Sequence, residues 1–553
     1  LTLIIRKTKM DNNEFKTTFA ANVFRNKYAQ STDDTWADLA ARVVEDVCGT
    51  RWGTLPALMS EGDRKELTEH IKAMRFIPGG RYLYYAGRPY KAFNNCYLLR
   101  AEEDTREEWA AVTWRAMSCL MTGGGIGIDY SRLRGEGRVL RRTGGTASGP
   151  IPLMHAINEI GRNVKQGGSR RSAIYASLDW QHEDILKFLG NKNWSEDIRG
   201  LKQRDFNFPA PLDSTNISVN YNDEAGDLKS NPVFLENVKQ AMMTGEPGFS
   251  FNFGSKRNET LRNACTEVTS EDDSDVCNLG SVNLGNIDSL QELQDVVSLA
   301  SRFLVCGTIR ADLPYQKVYD VRSKNRRLGL GLMGIHEWLL KRGMKYEVTP
   351  ELHQWLKVYE YESTRSSNEQ CDRLYISRPV AYRAIAPTGT IGILAATTTG
   401  IEPLFAVAYK RRYLAGAKWK YEYVVDVTAE HLVEQLGIVP DNIDTAYKLS
   451  HDYERRIKFQ ADIQDYVDMS ISSTINLPAY GSKGNQESDT EVFAGTLAKY
   501  APRLRGFTAY PDGSRGGQPL VECTYAEAKR HRGVVHEEHD ICELSGKGGT
   551  CGV

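Results

Sequence analysis

The stretch Asn263–Leu284, NACTEVTSEDDSDVCNLGSVNL, constrains this chain more than any other, because it sets chemically active side chains beside an apolar run. Asn263, Cys265 and Glu267 fall at spacing two. In an extended segment alternate side chains point the same way, so an amide, a thiol and a carboxylate are predicted to share one face. Ten residues beyond Glu267 comes a second cysteine, Cys277, in CNLGSVNL. A thiol beside a carboxylate and an amide suits chemistry on a diol. Both cysteines also read as small buried hydrophobes, the common place for unpaired cysteine, and spacing alone names no reaction.

The 553 residues allow two or more domains, or one large barrel-type domain with appendages. With 41% hydrophobic and 25% charged residues, the composition is that of a globular enzyme. A formal net charge of -1 argues against a general nucleic-acid or membrane-surface binder. No apolar run approaches the roughly 18 residues that span a bilayer, and LTLIIRKTKM is too short and too soon charged for a signal peptide. Ten cysteines (48, 96, 119, 265, 277, 306, 371, 523, 542 and 551) are scattered without a close-spaced framework. That pattern predicts reduced thiols in a cytoplasmic enzyme.

Along the chain, residues 35–47 place Trp36, Leu39, Val43 and Val47 on one helical stripe, and 64–76 reads as a second helix stopped by Pro78-Gly79-Gly80. The first 90 or so residues show no strand-like alternation and are expected to form a small helical region. Next come two glycine- and arginine-rich loops, within 121–150 and 165–173, separated by the helix-like IPLMHAINEIGRNV. Glycine lets backbone N–H groups approach an anion, and arginine clamps phosphate oxygens in pairs; an ordinary solvated loop is the alternative. Thr349 and Pro350 open a helix whose buried stripe is Leu352, Trp355, Leu356 and Tyr359. In APTGTIGILAATTTGIEP, the turn Pro387, Thr388, Gly389, Thr390 and Ile391 offers hydroxyls and N–H groups to a phosphate. Gly329, Gly331 and Gly334 match G-x-G-x-x-G, but the preceding SKNRR is no strand, so helix–barrel packing is the expected use. His536, His539 and Cys542 have a spacing that could hold zinc with Cys523 or Cys551, yet the usual paired C-x2-C ligands are missing and no metal site is assigned.

With these pieces in hand, the chain resembles the catalytic subunit of ribonucleotide reductase. NACTE resembles the family's N-x-C-x-E finger-loop motif, with Ala264 and Thr266 where relatives usually have Pro and Gly. NNCYLL and CNLGSVNL look like its two cysteine-bearing strands, TGGTASGP and QGGSRRSA like its effector-specificity loops, and PTGTIG like its substrate-phosphate turn. The resemblance implies an α/β fold, a ten-stranded α/β barrel with a central finger loop, spanning 91–520 between a helical region (1–90) and a flexible redox tail (521–553). It implies Cys265 as the transient thiyl radical, Glu267 as general base and Asn263 as the group holding the ribose diol. Cys96 and Cys277 would release the 2′ hydroxyl as water and end as a disulfide. Cys542 and Cys551 would then reduce that disulfide and be reduced by thioredoxin or a glutaredoxin-like protein. Substrate phosphates would sit at 387–391. A deoxynucleoside triphosphate effector would be gripped by Asp104 and Arg142, relayed by Gln166 and Arg170, and would promote a homodimer.

The resemblance also bears on the radical source. Relatives served by a metal-containing second subunit carry an adjacent tyrosine pair near the barrel's end, whereas GFTAYPDGSRGGQPL has Tyr510 alone, followed by Pro511 and Asp512. That favours adenosylcobalamin, with 510–518 expected to line the mouth above Cys265; a separate ferritin-like metal subunit is the alternative. Against the resemblance, the short N-terminus is expected to leave no room for an ATP-cone domain. Two other classes compete: a nicotinamide-dependent dehydrogenase resting on the three glycines, and a nucleotide-binding regulator that gives no reason for Asn263, Cys265 and Glu267 together.

Overall fold

The fold was obtained as a computed structural model, which describes residues 14–50, 56–164, 172–204, 208–415, 418–514 and 520–537. Gln166, Arg170, Cys542 and Cys551 therefore lie outside the described residues. The strands are β1 (Phe76–Pro78), β2 (Cys96–Arg100), β3 (Gly125–Asp129), β4 (Ile174–Asp179), β5 (Thr215–Asn222), β6 (Gly248–Asn252), β7 (Leu261–Arg262), β8 (Thr269–Ser270) and β9 (Asp275–Asn283). They continue with β10 (Leu328–Met333), β11 (Ala408–Ala415), β12 (Lys418–Val425), β13 (Ile475–Leu477), β14 (Gly506–Phe507), β15 (Ala509–Pro511), β16 (Leu520–Glu522) and β17 (Val535–Glu537).

One large sheet dominates, with order β1-β9-β2-β3-β4-β5-β6-β14 and β10 paired to β9. β2 to β6 are mutually parallel, and so are β9 and β10, but β2 meets β9 antiparallel. Two parallel sets thus meet at an antiparallel seam, and β1 and β14 add antiparallel edges beside β9 and β6. Helices cover the connections, as parallel neighbours require. Beyond β10 the pairing continues through isolated bridges, Leu330 to Arg383 and Ile385 to Ile471, and through the two-stranded β13–β15 unit. The large sheet therefore has nine hydrogen-bonded strands among the described residues, not the ten expected from the resemblance.

Side-chain alternation explains why β2 is apolar on both faces. Tyr97 and Leu99 point into the main core with the outer helices. Cys96 and Leu98 point the other way, into a smaller apolar cluster with Leu261, Val268, Cys277 and Met469. That inner cluster surrounds the β7–β8 hairpin, which lies inside the curve of the sheet against β2 and β3. Glycine makes room for it. A Cβ on Gly127 would lie 1.7 Å from the Arg262 carbonyl oxygen, and one on Gly125 would lie 3.2 Å from Ala264 Cβ.

Three expectations change. The helix expected at 64–76 is Glu61–Lys72, capped by Ser60, and Phe76–Pro78 is instead strand β1, so the opening region is not wholly helical. Three apolar residues are too few to show a strand period, and only the pairing with β9 makes them one. Gly329 and Gly331 lie within β10 rather than against a helix: a Cβ would strike the Leu279 side chain at 2.3 Å or the Ala384 carbonyl at 2.7 Å. Residues 520–537, at the start of the expected tail, supply β16 and β17, which flank the β11–β12 hairpin.

Among the described residues no helix is long and apolar enough to cross a membrane. Gly127→Ala is expected to lower stability by about 1–3 kcal/mol through forced displacement of the hairpin. Gly200→Ala, in the helix Glu196–Arg204, where an added Cβ meets no described atom within 4 Å, is the matched control and should gain about 0.5–1 kcal/mol. Denaturant midpoints of the two variants check both signs.

Candidate active site

The seam brings the first two thiols together. In the β2–β9 register Cys96 stands directly opposite Cys277. Antiparallel partners hold their Cα atoms about 4.5–5.5 Å apart, inside the range a disulfide spans. Both side chains are buried, and all the described cysteines are reduced thiols. Burial, then the nearby Glu267 carboxylate and the neighbouring thiols Cys277 and Cys265, push the Cys96 thiol well above its ordinary range. Cys277 is raised likewise, by burial and then by Asp275.

The third thiol arrives on the hairpin. β7 and β8 are short, and the chain turns between them at Asn263–Val268, closed by Thr266 N–H donating to Asn263 O at 3.0 Å. Thr266 takes a left-handed conformation, φ 70°, which a β-branched residue adopts only under constraint. The segment is thus a tight turn rather than the extended stretch predicted from the spacing, but Asn263, Cys265 and Glu267 do line one cavity of about 320 Å³ with Cys96. Cys265 is the one exposed cysteine among the described residues. Asn263 ties the turn to the seam: its Nδ2 donates to Cys96 Sγ at 2.9 Å and its Oδ1 accepts from Val268 N–H at 2.9 Å. Cys96 Sγ in turn lies 3.8 Å from Glu267 Oε1 as donor. Glu267 Oε2 is buried with no partner among the described residues.

The hairpin's base is held by buried charge. Arg262 donates to Asn252 Oδ1 at 2.7 Å and to the Arg505 carbonyl at 3.1 Å. Arg505 pairs with Glu259 at 3.0 Å, and Glu259 accepts from the Thr269 hydroxyl at 2.6 Å. Despite its burial the Glu259 carboxyl is held down at about 2, by Arg505 first and then Arg327 and Lys256. These contacts fix the stem of the turn from both strands.

The opposite wall carries the turn 387–391. Pro387, Thr388, Gly389, Thr390 and Ile391 all line the same cavity as Cys265. The helix Gly389–Ala395 begins there with no side-chain cap, leaving its first N–H groups available. Thr388 is left-handed and its hydroxyl accepts from Gly400 N–H at 2.9 Å, which locks the turn. Tyr28, Gly79, Gly80, Arg81 and Asn95 complete the walls, and none was predicted from the sequence. Their signal was slight: Gly79-Gly80 reads as a helix stop, and Tyr28 reaches the site only through the fold.

The remaining predicted residues lie elsewhere. Asp104 and Arg142 border one cleft of about 760 Å³, with Arg106, Trp109, Arg134 and Ser148. Asp104 is ion-paired with Arg134, a cation the sequence did not single out. Tyr510 and Asp512 line neither of these. They border a separate cavity of about 290 Å³ with Phe405, Tyr447 and His451, not the one holding Cys265. Residues 515–518 of that segment, like Gln166, Arg170, Cys542 and Cys551, lie outside the described residues. Among the described residues no cluster of His, Cys, Asp or Glu is placed to hold a metal; His536 stacks on Tyr421 at 4.9 Å.

Comparison with known proteins gives a consistent picture. The family described as "Ribonucleotide reductase, barrel domain" matches residues 94–225, 219–373 and 378–499. A vitamin B12-dependent ribonucleoside-diphosphate reductase of Mycobacterium tuberculosis is 27% identical over 83% of this chain and 71% of its own. A protein of the same description from Thermoplasma acidophilum is 26% identical over 86% of this chain and 68% of its own. The ribonucleoside-diphosphate reductase large chain of Cryptosporidium parvum is 24% identical over 60% and 47%.

Burial pushes the Glu267 carboxyl up from 4.5 to about 7, only partly offset by hydrogen bonds from Asn263, its own backbone and Cys96. Between those values the folded chain binds more protons than the unfolded one, so stability should fall as pH rises through that window. Glu267→Gln should remove an on-the-order-of 1–3 kcal/mol share of the decline. Denaturant midpoints at pH 5 and 8 for both proteins measure it; parallel profiles would contradict the assignment.

Proposed function

The chain belongs to the ribonucleotide reductase family, and from that premise we infer which residue does what in its reaction. It is an oxidoreductase that converts ribonucleotides to 2′-deoxyribonucleotides, with adenosylcobalamin as the radical source. The observation that carries the residue assignment is the convergence of Cys265, Glu267 and Asn263 on the Cys96–Cys277 pair in one cavity. Bound adenosylcobalamin supplies a carbon-centred radical that can take the hydrogen atom of a thiol. The exposure of Cys265 at the tip of its turn suits it to be that thiol.

The protein's own residues then divide the chemistry. The Cys265 thiyl takes the 3′ hydrogen of the ribose. Glu267, whose carboxyl titrates near neutral pH and whose Oε2 has no partner among the described residues, accepts the 3′ hydroxyl proton in its ionised form and gives it back as the 3′ hydroxyl is restored. Asn263 keeps Cys96 and the turn in register while its amide faces the diol. The 2′ hydroxyl leaves as water with a proton from the dithiol. Cys96 and Cys277 together give two electrons and two protons and become a disulfide, and Cys265 returns its hydrogen to C3′. Phosphates of a ribonucleoside di- or triphosphate lie against 387–391. Cys542 and Cys551 carry reducing equivalents inward from thioredoxin or a glutaredoxin-like protein.

A deoxynucleoside triphosphate effector occupies the cleft of Asp104, Arg134 and Arg142, and Gln166 and Arg170 relay its identity. The helix Arg106–Met121 borders that cleft with its first turn and exposes Trp114, Met117 and Met121 along one stripe. An apolar stripe beside the effector cleft suits a second copy of the chain.

The direct test is turnover of a ribonucleoside diphosphate by the purified chain with adenosylcobalamin and a dithiol, and no other protein. Cys265→Ser should abolish it, at least 10³-fold, as expected for loss of a group that reacts covalently. Activity only with a ferritin-like metal subunit would overturn the cofactor assignment. In sedimentation, saturating effector should convert monomer to dimer, and Met117→Glu should stay monomeric. A wild-type monomer under those conditions would refute the assembly.

A further inference from the structure

The turn 387–391 is electrically poor for its proposed ligand. From Ala386 to Pro403 there is no Lys, Arg or His, and Glu402 adds a negative charge. The helix behind the turn has only seven residues, Gly389–Ala395, so its dipole is a weak substitute for a cation. Among the described residues lining the cavity, Arg81 is the sole cation. Its guanidinium is nearly buried and already donates to the Asn94 carbonyl at 3.3 Å and the Thr122 carbonyl at 2.5 Å. A cation at the rim would add attraction for a multiply charged substrate that the turn's hydroxyls and N–H groups do not supply.

The N-terminal segment provides one. Lys27 Nζ donates to Thr390 Oγ1 at 3.1 Å, bridging 363 positions of sequence onto the phosphate turn. Its placement is built into the fold. The helix Thr18–Val23 packs on the helix Gly389–Ala395, and the helical turn Phe24–Tyr28 follows it directly. Phe24 and Tyr28 are buried, and Phe24 packs against the Trp36 ring at 6.1 Å. The Tyr28 ring fills the space over Gly80, where a Cβ would come within 2.8 Å of its hydroxyl. Between those two anchors Lys27 is exposed, with its ammonium also 5.8 Å from the centre of the Tyr28 ring. A phosphate oxygen is a stronger acceptor for an ammonium than a threonine hydroxyl, because the bond is charge-assisted.

We propose that Lys27 is a phosphate-binding residue of the substrate site, exchanging the Thr390 hydroxyl for the terminal phosphate of a bound ribonucleoside di- or triphosphate. The inference rests on the reading of 387–391 as the substrate-phosphate turn, and it gives the N-terminal region a direct part in substrate recognition.

Calorimetric binding to the full chain tests it, using a ribonucleoside diphosphate and the matching unphosphorylated ribonucleoside. Saturating deoxynucleoside triphosphate is present throughout to fill the effector cleft. Wild type, Lys27→Met and Lys27→Arg are compared, each first checked for an unchanged unfolding midpoint. The diphosphate should bind about tenfold more weakly to Lys27→Met, Lys27→Arg should recover most of the loss, and the nucleoside should not distinguish the three. Equal diphosphate affinity in wild type and Lys27→Met overturns this inference and leaves the turn's role standing. A wild type that binds diphosphate no better than nucleoside removes the phosphate turn itself, and the inference with it.

Discussion

The antiparallel seam between β2 and β9 is the interaction on which the site depends. Within each half the inner neighbours run parallel, and only the edge strands β1 and β14 join antiparallel, with no cysteine in either pairing. Only where the halves meet in opposite directions does one cysteine face another across the ladder, Cys96 against Cys277. A one-residue slip of either strand would turn that strand's thiol to the outer face, among the helices, and part the pair. The apolar alternation of Tyr97 and Leu99 outward against Cys96 and Leu98 inward opposes that slip. The dithiol is therefore set at disulfide distance by backbone register, and its oxidation needs no rearrangement of the strands.

The hairpin brings a different kind of chemistry to that pair, and the sheet yields space for it. Gly125 and Gly127 leave out the side chains that would collide with Ala264 and the Arg262 backbone. A buried polar stem holds the hairpin: Arg262 on Asn252, and Arg505 on Glu259. Stem rigidity permits strain at the tip, where Thr266 sits in a left-handed conformation. It also permits a buried carboxyl with an oxygen that has no partner among the described residues, an arrangement that costs stability and persists where surrounding structure over-determines it.

Much of this was legible in the residues, for reasons that differ from element to element. Thr349 and Pro350 mark a helix start through their own chemistry, and the helix Pro350–Arg373 begins there. The ordered motifs around Cys96, Cys265, Cys277 and Pro387 pointed to the family because each carries side chains few folds would combine. What escaped was non-local. Spacing two at Asn263, Cys265 and Glu267 suggested an extended segment, whereas a turn at Thr266 brings them together. Phe76–Pro78 is a strand only because β9 pairs with it. Tyr28, Lys27 and Arg81 belong to the site through packing of an N-terminal segment hundreds of positions away from the turn it meets. Gly329 and Gly331 looked like a nucleotide fingerprint in isolation, and the sheet shows them to be room for Leu279 and the Ala384 backbone.

The central claim is that the opposed pair Cys96 and Cys277 supplies the two electrons of each turnover. It is tested most directly by a single turnover of a ribonucleotide with adenosylcobalamin and no external dithiol, quenched by alkylation and read by peptide mass spectrometry. The account predicts one Cys96–Cys277 disulfide for each deoxyribonucleotide formed, in a chain with Cys542 and Cys551 both replaced by serine. Product formed while Cys96 and Cys277 remain alkylated as separate thiols would contradict it.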